Sequence, residues 1–135
     1  MKKLVGLLFV VLMLVGCSNI VSNSLETNTL TEFYEKDLQN VSKVVIVDGS
    51  TGYKKTIDEN VVIEGFLDEI KDIKFIPEEN QEGRVGWRYS ITLSQDDEYT
   101  FMFGLTQVND NYYFTEPHIH PIVDKFYKTV DVQEE

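Results

Sequence analysis

The chain is poor in several residue types that proteins use for cross-linking or catalysis. Among its 135 residues it has no alanine, one cysteine (Cys17), one tryptophan (Trp87), two arginines and two histidines. A single cysteine cannot form an intramolecular disulfide, so the fold must be stabilised by packing alone. The sequence also has no G-x-S-x-G motif, no Walker loop and no H-E-x-x-H motif. We therefore predict that the protein is not an enzyme and carries no cofactor.

Positive charge is also scarce. Twelve Lys and Arg residues face 23 Asp and Glu residues, which gives a formal net charge of −11 at pH 7. An acidic surface repels the phosphate backbone of nucleic acids and the headgroups of anionic lipids. The charge therefore excludes nucleic acid as a partner, and it argues against a domain that lies flat on the membrane.

The first 17 residues have the organisation of an export signal. Lys2 and Lys3 give a short positive region, and residues 4–15 form an apolar run interrupted only by Gly6. This run is too short to span a bilayer comfortably and is typical of the hydrophobic part of a signal peptide. An ordinary signal peptide is the alternative, but its cleavage site would be expected to follow an Ala-x-Ala-like pattern, and the chain has no alanine.

The segment that closes the run, Leu14-Val15-Gly16-Cys17, resembles the lipobox of bacterial lipoproteins. The resemblance implies that a diacylglycerol is attached to the Cys17 thiol and that a peptidase cuts just before this residue. It implies a protein anchored by lipid at the extracytoplasmic face of the cell membrane, where each buried methylene contributes about 0.8 kcal/mol. We divide the chain into a signal peptide (1–16), a lipidated cysteine with its tether (17–28) and a single domain (29–135).

Hydrophobic periodicity predicts an α+β domain. Helices are expected over residues 30–39, 58–72 and 121–130, and strands over 42–48, 53–57, 87–94, 99–106 and 112–115. The order helix-β-β-helix-β-β-β-helix indicates an antiparallel sheet with helices packed on one face. This layout loosely resembles small lipoproteins of Gram-positive bacteria, but it identifies no functional residue.

Several local signals set the expected ends of these elements. Thr29 and Glu32 have the spacing of a capping box, and Asp58 is expected to cap the second helix. His120 is expected to cap the last helix, with Pro121 at its first position. The tail over residues 132–135 is expected to fray.

Residues 87–105 carry the clearest strand pattern. Apolar residues alternate with polar ones on both sides of a short polar turn, which is typical of a hairpin with one buried face. The side chains expected to be buried against the helix 58–72 are Trp87, Tyr89, Ile91, Phe101 and Phe103.

The two arginines lie beside the only tryptophan, and this segment is the first candidate for an interaction surface. Arg84 and Arg88 are four residues apart around Trp87, with Tyr89 adjacent. Guanidinium groups bind carboxylates or phosphates, and an indole can stack on a ligand, so an anionic group is the expected ligand. The alternative is that Trp87 belongs to the core and that both arginines pair with local carboxylates.

The two histidines form a second candidate site. His118 and His120 would lie on the same side of a strand, and Glu116 and Asp124 could complete a zinc or copper site. The alternative is a turn that leads into a helix, because Pro117 and Pro121 bracket the pair.

These observations together favour a binding protein at the cell envelope. We expect a lipoprotein that engages an envelope protein or a small ligand close to the membrane. Two alternatives stay open: a prophage or immunity-type lipoprotein that blocks DNA entry or a toxin, and a metal-binding lipoprotein that uses His118 and His120.

Overall fold

The computed structural model describes residues 25–135 and confirms an α+β fold with antiparallel strands. Cys17, the lipobox and most of the expected tether lie outside the described residues. None of the helices within residues 25–135 is long and apolar enough to cross a membrane.

Eight strands and three α-helices make up this part of the chain. In order they are β1 (Asn28–Thr29), α1 (Leu30–Phe33), β2 (Lys43–Asp48), β3 (Lys54–Ile57), α2 (Asn60–Ile70), β4 (Lys74–Pro77), β5 (Tyr89–Gln95), β6 (Glu98–Gly104), β7 (Gln107–Val108), β8 (Asn111–Glu116) and α3 (Ile119–Thr129). A short 3-10 turn, Leu38–Asn40, follows α1. The order differs from the predicted one because β1, β4 and β7 were not predicted.

The strands form two four-stranded sheets where a single sheet was expected. The first sheet has the order β3-β2-β5-β6 and the second the order β1-β4-β8-β7. The chain passes from β6 directly into β7 through Leu105 and Thr106, so one extended segment contributes to both sheets. The strand β8 pairs with β4, in register from Lys74↔Glu116 to Pro77↔Tyr113. Because of this pairing, β7 and β8 belong to the second sheet and do not extend the sheet that contains β5.

The sheets and helices share one apolar core. Ile46, Ile91, Leu93 and Phe75 are fully buried, and the last of these belongs to the second sheet. The helices α2 and α3 contact each other through stacked rings of Phe66 and Phe126, whose centroids are 4.2 Å apart. The hairpin residues Tyr89, Ile91 and Phe103 are buried as predicted, whereas Phe101 is only partly buried.

A β-bulge at Thr100 changes which side chains of β6 face the core. The register passes from Leu93↔Phe101 directly to Ser94↔Tyr99, and the Thr100 hydroxyl donates a hydrogen bond to the Leu93 carbonyl. An extra residue in one strand reverses the facing of the residues beyond it. Tyr99 therefore points outward, although simple alternation placed it on the buried face.

The helix ends follow the sequence signals only in part. The Thr29–Glu32 capping box is confirmed, but α1 ends at Phe33 because Tyr34 has an extended backbone. The helix caps predicted at Asp58 and His120 were wrong: α2 is preceded by Glu59 and α3 by His118, neither of which makes a side-chain cap. Near the start of α3 the Thr115 hydroxyl accepts a hydrogen bond from the Ile119 N–H.

The C-terminal end of α3 is held by a buried lysine. Lys55 Nζ donates to the carbonyls of Tyr127 at 2.7 Å and Val130 at 3.3 Å, and it lies 5.0 Å from the centre of the Tyr127 ring. The last carbonyls of a helix lack intrahelical partners, and an ammonium group there satisfies them. The tail beyond α3 is not frayed as expected, because Lys54 and Glu135 exchange backbone hydrogen bonds in both directions.

Candidate binding cleft

A cleft of about 800 Å³ lies where the two sheets separate. Its walls are the loop over residues 78–88, the outer end of β6, the segment from Leu105 to Asp110, β8 and the start of α3. A volume of this size is in the range of small-molecule and cofactor sites.

All six residues of the two predicted sites line this one cleft. Arg84, Trp87, Arg88 and Tyr89 belong to one wall, and His118 and His120 lie at the start of α3. The sequence separated these groups by some thirty residues, and the fold brings them together because β5 and α3 are neighbours across the core. Cys17 lies outside the described residues.

The loop over residues 78–88 is fixed to β8 by hydrogen bonds to Tyr112. The Gln81 side-chain amide accepts from the Tyr112 N–H at 2.8 Å and donates to its carbonyl at 2.9 Å. Arg84 donates its backbone N–H to the Tyr112 hydroxyl, and its guanidinium lies 4.7 Å from the centre of that ring. The same guanidinium pairs with Glu78. The positive charge of Arg84 is therefore already compensated within the loop.

Arg88 is also compensated, by carboxylates that are distant in the sequence. Its two terminal nitrogens lie 3.4 Å from Asp48 Oδ1 and 3.6 Å from Asp124 Oδ1, and the guanidinium is 5.1 Å from the Tyr89 ring centre. The alternative in which both arginines pair with carboxylates is therefore found: Arg84 pairs with Glu78 in its own loop, whereas Arg88 pairs with two carboxylates that are distant in the sequence. The reasoning that scarce positive charge would attract an anion is not supported, since neither guanidinium is free.

Hydrogen bonds tie Tyr89 and Asp124 into the same network. The buried Tyr89 hydroxyl donates to Asp124 Oδ1 at 2.7 Å, and Lys128 Nζ lies 2.8 Å from Asp124 Oδ2. The hydrogen bond from Lys128, followed by that from Tyr89, lowers the pKa of Asp124 to about 2. Burial, with the hydrogen bond to Asp124, raises the pKa of Tyr89 well above its usual value.

Asp48 completes the network from the turn after β2. Burial raises the pKa of its carboxyl, but hydrogen bonds from the side chain and backbone of Ser50 and the charge of Arg88 outweigh this effect, so the net pKa is lowered. Both carboxylates of the network are thus more acidic than usual and Tyr89 is less acidic. The pKa values of all three groups are thus shifted further from 7, so Asp48 and Asp124 stay ionised and Tyr89 stays protonated at neutral pH.

The pH dependence of folding should reveal the charge of Asp124. Its pKa of about 2 lies below the value of about 3.9 expected in the unfolded chain, so it stabilises the fold above about pH 4. We expect Asp124→Asn, which keeps an acceptor for Tyr89, to lower the melting temperature at pH 7. The difference from wild type should narrow as the pH falls from about 4 towards 2.

Thermal unfolding followed by circular dichroism across this pH range measures the effect. Asp72→Asn serves as the control, because this exposed carboxylate lies outside the network. A difference between wild type and Asp124→Asn that stays constant down to pH 2 would contradict the assignment.

Trp87 is not in the core, contrary to the prediction that its side chain is buried. It is 55% exposed, and its carbonyl and ring pack over Gly49 in the turn after β2. The Gly49 N–H donates to the Arg88 carbonyl at 2.6 Å, which holds the segment against that turn. The indole therefore borders the cleft from outside the first sheet.

The two histidines have too few neighbouring ligand side chains to form a metal site in the described part of the chain. Residues 25–135 contain no group of three or more His, Cys, Asp or Glu side chains placed to hold a metal ion. His118 and His120 are both exposed, and the His120 ring lies 6.1 Å from that of Tyr89. They contribute polar, ring-shaped surface to the cleft.

Apart from Trp87, the exposed apolar side chains at the cleft were missed by sequence reasoning. Of the eight large hydrophobic residues that are exposed within residues 25–135, four line the cleft: Trp87 (55%), Tyr99 (65%), Met102 (52%) and Phe114 (44%). The alternating pattern gave Met102 the outer face but could not show that this face borders a cleft. Such a concentration of exposed apolar surface is typical of an interaction site.

The cleft therefore offers aromatic and thioether contacts, hydrogen-bonding groups and ion pairs that are already satisfied. No protein-family model matches the chain, and comparisons with curated proteins and with solved structures find no significant match.

Proposed function

We propose that the protein is a lipoprotein of the cell envelope that binds a partner in this cleft and catalyses no reaction. The observation that carries the proposal is the gathering of Trp87, Tyr99, Met102 and Phe114 around the cleft. Side chains of this kind remain exposed at a cost in solvation, which binding recovers by removing them from water.

The proposed location follows from the lipobox resemblance. A diacylglycerol on Cys17 holds the protein on the membrane, since two acyl chains anchor stably where one does not. Ten basic and 23 acidic residues remain after residue 16, a formal charge of −13, which repels the domain from anionic headgroups. Because only the ten residues 18–27 separate Cys17 from β1, the cleft would face partners close to the membrane.

Site-specific photo-crosslinking in intact cells tests both parts of the proposal. We expect benzoylphenylalanine in place of Tyr99 to form an adduct in the membrane fraction, because this side chain borders the cleft. The same probe in place of Tyr53, which is 54% exposed but outside the cleft lining, is the matched control.

The anchor is examined in the same cells with an alkyne analogue of palmitate. Wild type should be labelled, and Cys17→Ser should be unlabelled and should form no adduct at the membrane. Labelling that persists in Cys17→Ser would contradict the anchor. Equal adducts from the Tyr53 and Tyr99 positions would contradict the cleft as the binding site.

A further inference from the structure

The backbone around the cleft has open hydrogen-bonding edges. β6 ends the first sheet, so the side of this seven-residue strand that faces away from β5 has no strand partner within residues 25–135. The opposite end of that sheet is different, because Glu135 pairs with the backbone of Lys54 in β3. The outer strands of the second sheet, β1 and β7, have only two residues each.

A second open edge faces the same cleft from β8. Tyr113 donates its N–H to the Thr106 carbonyl at 2.9 Å, and there β8 runs beside the segment that continues from β6. Beyond this bond the two strands diverge, because β6 pairs with β5 in the first sheet and β8 pairs with β4 in the second sheet. Backbone groups alternate sides along a strand, so those of Thr115 face the same side as those of Tyr113. They have no backbone partner on that side within residues 25–135. The cleft is therefore a wedge between two strand edges.

The side chains along β6 do not protect its edge against pairing. Natural proteins cover such edges with lysine, proline or inward-pointing charges. β6 has no lysine and no proline, and its single bulge lies near the hairpin turn, which leaves Phe101–Gly104 in regular register with β5. Tyr99 and Met102 on β6 and Phe114 on β8 present exposed apolar surface beside the open backbone.

We infer that this wedge binds an extended peptide segment of another protein, which adds a strand to β6. In this mode of recognition, backbone hydrogen bonds provide affinity and side-chain pockets provide specificity. The inference rests on the proposed function and names the class of its partner. At about 3.3 Å per residue, β6 spans roughly 20 Å and pairs with about five to seven residues.

Charge indicates the composition of this peptide. Arg84 and Arg88 are paired with carboxylates, whereas Asp110 lines the cleft in no ion pair within residues 25–135. Together with the formal charge of −13 on the residues after residue 16, this arrangement favours a neutral or basic segment and repels an acidic one. The same charge opposes pairing of β6 with β6 of a second copy, which would bring two acidic surfaces together.

Selection from a random peptide library tests the inference without knowledge of the natural partner. The full chain in mild detergent is the bait for phage-displayed twelve-residue peptides, after depletion on a Tyr99→Lys/Met102→Lys variant. Both residues are exposed, so this variant should fold, which circular dichroism checks. Tyr53→Lys is the control, since it places a lysine at an exposed position outside the cleft.

We expect enriched peptides that alternate apolar and polar residues and lack acidic ones. The leading synthetic peptide should bind wild type and Tyr53→Lys equally and the double variant at least about tenfold more weakly. Methylation of alternate backbone amides of the peptide should also weaken binding by about tenfold or more, because it removes the strand's donors. In the complex, hydrogen exchange should slow at those amides of residues 101–104 that face away from β5 and at Thr115.

Three results would overturn the inference. The first is a library that yields no peptide dependent on the β6 side chains, and the second is a selected peptide that binds equally well after amide methylation. The third is a dimer in sedimentation that the double variant abolishes, because β6 would then pair with a second copy. If Tyr99 nevertheless gives a specific crosslink in cells, the proposed binding function stands and only the strand pairing fails.

Discussion

Replacing Phe75 by alanine should lower the free energy of unfolding by about 3–5 kcal/mol, the range measured for large-to-small changes in protein cores. Phe75 in β4 is fully buried, and its ring makes edge contacts with Phe33 in α1, Phe103 in β6 and Tyr113 in β8. It therefore joins both sheets and the first helix. Because a domain of this size has a stability of about 5–15 kcal/mol, the loss would remove a large share of it.

Urea denaturation followed by circular dichroism measures this loss. The matched control is Phe114→Ala on β8, the strand that pairs with β4, because its side chain is 44% exposed and should contribute less than about 1 kcal/mol. If both variants lost the same stability, Phe75 would not be the junction between the sheets. Phe114→Ala should instead weaken binding in the cleft.

Local patterns in the sequence account for the elements whose residues interact with near neighbours. The alternation of Tyr89, Ile91 and Leu93 correctly predicted a strand with one buried face. The polar turns were also predictable: Asp96, Asp97, Asn109 and Asp110 all have positive φ, which short polar side chains tolerate in tight hairpins.

The division into two sheets could not be predicted from such patterns. β4 has only four residues, Lys74–Pro77, and its pairing with β8 joins segments about forty residues apart. The bulge at Thr100 could not be predicted either, because it too depends on pairing between strands. Tyr99 and Phe101 keep a regular alternation in sequence, while the extra residue shows only in the pairing with β5.

The residues of the candidate site were named from the sequence, but their ionic partners were not. The four residues Arg84, Trp87, Arg88 and Tyr89 line the cleft because the loop over residues 78–88 and the start of β5 contribute to its wall. Their electrostatic state depends on carboxylates at positions 48, 78 and 124, which no spacing rule connects to them. Because those partners compensate both arginines, the ligand that we propose is a neutral or basic peptide and not the anion expected from the sequence.

Gly49 should be the most sensitive glycine of the described chain, because the Trp87 segment lies directly on it. A Cβ atom at Gly49 would come within 2.1 Å of the Trp87 carbonyl oxygen and 2.8 Å of its ring. The first contact is with backbone, so the segment that carries Trp87 and Arg88 must move away. We expect Gly49→Ala to lower the free energy of unfolding by about 1–3 kcal/mol, the usual cost of overpacking.

The fluorescence of Trp87, the only tryptophan, reports this movement directly. In Gly49→Ala its emission should shift, and binding in the cleft should weaken as Arg88 leaves Asp48 and Asp124. Gly65→Ala is the control of opposite sign: no atom lies within 4 Å of the added Cβ, and alanine is favoured within α2 by about 0.5–1 kcal/mol. Equal stability of Gly49→Ala and wild type, with unchanged emission, would mean that Trp87 does not rest on this turn.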